Sequence, residues 1–123
     1  METIRYFYRV EMITHRPAAE DKITVLKEVK EEDLHLSRLL ATKCFLDESQ
    51  ELKGKYSPSG FDTYDTRKGV GFNYQLLLVD TETEVEYLIE TTMEHAGDQL
   101  TAMRKEEKAI FFKLGLDDEI LAL

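Results

Sequence analysis

Tryptophan is absent from the chain, cysteine occurs once and proline twice in 123 residues. A single thiol, Cys44, closes no internal disulfide, which fits a reducing, cytoplasmic setting. The few prolines, six glycines and 42% apolar content exclude collagen-like, low-complexity and disordered classes. Long hydrophobic runs are also missing: the longest strongly apolar stretch, Leu76 to Val79, falls far below the roughly 18 residues of a membrane span. The opening Met-Glu-Thr-Ile-Arg-Tyr lacks the charge order and apolar run of a signal peptide, so a cytoplasmic protein is expected.

Positive charge is scarce. Sixteen basic residues face twenty-five acidic ones, a net charge of -9. Residues 1–30 carry six basic and five acidic residues, whereas residues 31–123 carry ten and twenty. Such a field repels phosphate backbones and anionic membranes and attracts basic surfaces. The expected partner is therefore another, basic protein or a second copy of the chain. Neither duplex nucleic acid nor a membrane is expected.

The length implies one domain spanning residues 1–123, with a core large enough to need no disulfide or metal. Residues 4–13 alternate, with Ile4, Tyr6, Tyr8, Val10 and Met12 on one face and Arg5, Phe7, Arg9 and Glu11 on the other. After a turn around Pro17, Ile23, Val25 and Val29 resume the two-residue period, which predicts a hairpin. From Glu31 the period lengthens. Leu36, Leu40 and Cys44, flanked by Leu39 and Ala41, predict a helix to about Leu52, ending near Gly54.

Residues 53–69 show little periodicity and contain Ser57-Pro58-Ser59-Gly60, which reads as a long loop or crossover. Alternation returns over Val70–Val79 and again at Val85, Tyr87 and Ile89, joined by the turn Asp80–Thr83. Met93, Ala96, Leu100, Met103, Ile110 and Leu114 then form a helical stripe interrupted by Glu107, starting at a Thr91/Glu94 capping box or near Asp98, with Gly115 its stop. The order β-β-α-β-β-α predicts an α+β domain: a four-stranded antiparallel sheet with two helices packed on one face.

No catalytic motif meets its structural requirements. Gly69-Val70-Gly71 precedes a strand instead of opening a helix, and no Gly-x-Ser-x-Gly elbow exists. His35 and Cys44 fall on opposite sides of their helix, so they share no metal, and Cys44 reads as a small core residue. No catalytic residue, metal or cofactor is assigned, and a non-enzymatic role is expected.

Three features rise above this background. The loop carries Lys53, Lys55, Arg67 and Lys68 against Asp62 and Asp65, interleaved with Tyr56, Phe61 and Tyr64. Aromatic faces beside cations hold nucleobases and phosphates, so Tyr56, Phe61, Tyr64, Arg67 and Lys68 form a candidate site for a small anionic ligand. The bland reading has the same aromatics packing on the core. The outer sheet face sets Arg5, Phe7 and Arg9 against Glu84, Glu86 and Glu90, a pattern that cross-strand pairing would neutralise.

Third, Glu82, Glu84, Glu86, Asp117 and Asp118, with the apolar Ile120 and Leu121 of the tail 116–123, form a candidate surface for a protein partner. A tail folded onto its own core is the competing reading. Phe111 and Phe112 lie about 100° apart on the helix, so both cannot point inward. The preferred expectation is a small acidic protein-interaction module, and an inhibitor of a basic nucleic-acid-handling protein is one such role. Phage-encoded anti-defence proteins share this size and charge, an analogy of composition that no motif carries.

Overall fold

The computed structural model describes residues 4–16, 18–56, 64–65, 70–93, 96–117 and 121, with backbone alone at 51–56, 64–65 and 70. Its elements are β1 (Tyr6–His15), β2 (Lys22–Val29), α1 (Leu34–Tyr56), β3 (Tyr64–Asp65), β4 (Val70–Asp80), β5 (Glu86–Thr91) and α2 (Gly97–Lys113). Four full strands form an antiparallel sheet in the order β2-β1-β4-β5, and the two-residue β3 joins the start of β4. The two hairpins thus meet along β1 and β4, paired from Tyr6↔Asp80 to His15↔Gly71. The fold is α+β, as the alternating and helical periods predict.

Both helices cover one sheet face. Leu34, Ala41 and Phe45 of α1 and Ile110 and Phe111 of α2 share a buried cluster with Tyr8, Val10, Leu76, Leu78 and Ile89. On the other face a smaller cluster of Phe7, Leu77 and Val79 is also buried. The Arg9 guanidinium and Lys30 ammonium lie 5.6 and 4.8 Å from the Phe7 ring centroid, so charged side chains roof an apolar strip with their stems.

Local chemistry places most boundaries. Asp33 caps α1, its Oδ1 accepting from the backbone N–H of His35 at 3.0 Å. The helix then passes the expected stop at Gly54 and ends at Tyr56. Of the segment read as a loop, 57–63 and 66–69 lie outside the described residues, and Tyr64–Asp65 form β3. Helix α2 takes the later of its two expected starts, with Ala96 as an N-cap that makes no side-chain bond. At its end Gly115 adopts φ +71°, and Gly115 N–H and Leu116 N–H donate to Phe112 and Phe111 carbonyls at 3.0 and 2.9 Å, a Schellman closure.

One expectation fails in an informative way. The helical spacing predicts that the Leu36–Leu40 stripe faces the core, with Cys44. Instead Leu34, Ser37, Arg38, Ala41, Phe45 and Ser49 are buried, and Cys44 is only partly so. The small Ser37 and Ala41 allow close approach to a sheet already filled by tyrosines. The two buried serines there have partners: Ser37 Oγ donates to the Val29 carbonyl at 2.5 Å, and Ser49 Oγ to that of Leu46.

Candidate functional site

Beneath the helices lies a buried polar cluster joining β1, α1 and α2. Glu107, which merely interrupts the apolar stripe of α2 in the sequence, is 1% exposed. Its Oε2 accepts from the Tyr8 hydroxyl at 2.5 Å and from Arg38 Nε at 3.0 Å, while its Oε1 lies 3.4 Å from Arg38 Nη2. Burial, then the adjacent carboxylate, holds the Tyr8 phenol far above its ordinary range, so it stays a proton donor. An acid, a base and a phenol are here bound to one another, a structural arrangement for a carboxylate that cannot be left unpaired in a core.

Next to this cluster, between α1 and α2, opens a cleft of about 240 Å³. Leu76 and Ile89 of the sheet, Phe45 and Leu46 of α1 and Leu121 give it apolar surface; Arg38, Thr42, Glu90 and Arg104 bring polar groups. Arg104 is held at its far side, Nε donating to the Ile89 carbonyl at 3.1 Å and Nη2 to Glu90 at 2.6 Å. The Thr42 hydroxyl is buried and, among the described residues, has no hydrogen-bond partner. A helical threonine ordinarily bonds the carbonyl one turn back. Leaving such a group unmatched costs about 1–3 kcal/mol.

The outward side of α1 is the second conspicuous surface. Leu36, Leu39, Leu40 and Leu46 recur at helical spacing and are between 36% and 49% exposed, interspersed with Lys43 and Asp47, which pair at 2.9 Å. Phe112 adds an isolated exposed ring on α2, at 86%, while its neighbour Phe111 is fully buried, as their angular separation requires.

The carboxylates singled out in the sequence are partly engaged by the protein's own arginines. Glu82 lies 3.3 Å from Arg5, and Glu86 contacts Arg9, which also meets Glu11 and Glu28. This network spans three of the strands and cancels the positive potential of the outer face. Arg5 also forks onto Asp80 at 3.2 Å, the largest cause that lowers its carboxyl from 3.8 to about 2. Glu84 sits exposed at the hairpin with φ +62°. Glu90, expected to face the β1 arginines, is carried to Arg104 on the helix side because the β4–β5 register shifts at Leu76/Leu77.

The described residues of the tail fold back. Leu116 and Leu121 pack against the main cluster, and the Asp117 carbonyl lies 2.6 Å from His35 Nε2. Asp118 and Ile120 lie outside the described residues, as do Phe61, Arg67 and Lys68 of the other candidate site; Tyr56 and Tyr64 are described by backbone alone. Among the described residues no three His, Cys, Asp or Glu side chains gather as a metal site would require. No helix among them is long and apolar enough to cross a membrane. Burial raises the Cys44 thiol pKa, which suits a packing role.

Arg38, Glu107 and the outward leucines were missed by sequence reasoning. The signal was present: two opposite charges, each at a position spaced with core residues, Arg38 between Leu34 and Ala41, Glu107 one turn before Ile110 and Phe111. The fold and these surfaces define a two-layer α+β domain with a solvent-facing apolar helix ridge. No protein-family model, curated protein or solved structure matches the chain.

Proposed function

We propose that this protein is a non-catalytic interaction module that docks a basic partner protein on the outward face of α1. One observation carries the reading: four leucines share a solvent-facing helical ridge in a chain of net charge -9. Sequestering that ridge from water supplies a driving force that surface carboxylates alone do not. Glu31 and Glu32 precede its first turn and Asp47 and Glu48 border its far end, so its rim is acidic. The complementary surface has apolar knobs bordered by Lys or Arg, as on a basic amphipathic helix. Glu82 and Glu86, engaged with Arg5 and Arg9, add to the long-range field that steers such a partner more than to the contact. Inhibition by occupying a partner's nucleic-acid-binding surface follows the same charge logic.

The test is affinity capture with the wild type and with a Leu36→Ser, Leu39→Ser, Leu46→Ser variant whose melting curve is unchanged. Expected is a basic protein retained at low salt, released by high salt and lost with the variant. Equal recovery by both baits overturns the reading. A concentration-dependent dimer that the variant abolishes, seen by light scattering, would assign the ridge to a second copy instead.

A further inference from the structure

We infer that the cleft between α1 and α2 binds a small monocarboxylate with a short apolar body; of the α1 ridge it shares Leu46 alone. Three features of the cleft converge on this ligand. Its base is apolar, formed by Leu76 and Ile89 with Phe45 and Leu121 beside them. Its polar wall holds the donors Arg38, Thr42 and Arg104, and the one carboxylate there, Glu90, is taken up by Arg104 at 2.6 Å. Arg38 spends Nε and Nη2 on Glu107, and Arg104 spends Nε and Nη2 on Ile89 and Glu90, so the Nη1 group of each guanidinium has no hydrogen-bond acceptor among the described residues. Third, the Thr42 hydroxyl is buried and, among the described residues, has no hydrogen-bond partner, a lack that an acceptor entering the cleft would fill.

Charge agrees with this assignment. Leu121 also borders a second cavity of about 260 Å³ on the α2 side, where Lys105 and Lys108 join Arg104. Across the two cavities Arg38, Arg104, Lys105 and Lys108 stand against Glu90 and Glu107. In a chain of net charge -9 this is a local reversal, and it favours one added negative charge over a cation. Size limits the ligand: about 240 Å³ takes roughly eight water-sized groups, the non-hydrogen atom count of hexanoate. The carboxylate accepts from Thr42 and a guanidinium; the alkyl chain lies on Ile89 and Leu76.

Hexanoate, hexanamide and hexylamine titrated into methyl-labelled protein, followed by NMR, test the inference. Expected are saturable shifts at Ile89, Leu76 and Leu121 methyls with hexanoate, weaker ones with hexanamide and none with hexylamine. Thr42→Val keeps the shape and removes the donor, and is expected to weaken hexanoate about tenfold without lowering the melting temperature. Thr42→Ser restores the hydroxyl and the affinity. The inference is overturned by no saturable shift, by equal response to hexanoate and hexylamine, or by Thr42→Val binding hexanoate as the wild type does.

Discussion

Replacing Glu107 by Leu removes a carboxylate that is 1% exposed and leaves the guanidinium of Arg38, 8% exposed, with a buried charge and no acceptor. Breaking a buried ion pair from one side costs about 3–5 kcal/mol, and the orphaned Tyr8 hydroxyl adds about 1–3 kcal/mol. A domain of this length is stable by about 6–18 kcal/mol, so the variant loses a large part of its margin, about 15–30 °C in melting temperature. Arg38→Met is expected to cost a similar amount, because it strands the carboxylate. The combination Tyr8→Phe, Arg38→Met, Glu107→Leu removes all three polar partners together. It is expected to lie within about 2 kcal/mol of wild type, far from the sum of the single costs. Urea unfolding at constant m-value reads each free energy. Additive losses in the triple variant, or a loss below about 1 kcal/mol for Glu107→Leu alone, would refute the claim that these groups exist chiefly to satisfy one another.

The helix orientation makes its own prediction: Phe45→Ala should cost about 3–5 kcal/mol, whereas Leu39→Ser and Leu46→Ser should stay within about 0.5 kcal/mol, and the reverse order would turn α1 around. In acid, the Asp80 carboxyl titrates at about 2 instead of 3.8, so its contribution is complete above pH 4 and is lost as pH falls toward 2. Asp80→Asn should flatten the pH dependence of the melting temperature in that window; an unchanged slope would remove Asp80 from the account. In base the sign reverses, since Tyr8 keeps its proton when folded but ionises near its ordinary 10.0 when unfolded. Stability is therefore expected to hold below pH 10 and fall above it, less steeply in Tyr8→Phe, as chemical unfolding across pH 9–11 would show.

Several local features were legible in the sequence because they depend on neighbours a few residues apart. Alternation marked β1, β4 and β5, Gly115 marked the end of α2, and the 100° step between Phe111 and Phe112 required them to diverge. The charge imbalance likewise needs no coordinates. The candidate sites fared differently. Glu86 reached an arginine as cross-strand pairing predicts, but Glu90 did not, because a register shift in the β4–β5 pair lies beyond what alternation records.

What the sequence determined by itself is the set of elements, their order and the sign of the surface. Tertiary structure alone decided which side of α1 faces inward, since Leu34, Ala41 and Phe45 lie on one side and Leu36, Leu39, Leu40 and Leu46 on the other. A pattern apolar on two sides names no inner face. The choice fell where Arg38 meets Glu107 across 69 residues of chain, because a charge can enter a core only where its counter-charge and hydrogen bonds enter with it. Joining the hairpins through β1 and β4, and folding Leu121 over the helix cleft, are long-range decisions of the same kind, made by packing between segments whose local patterns do not record each other.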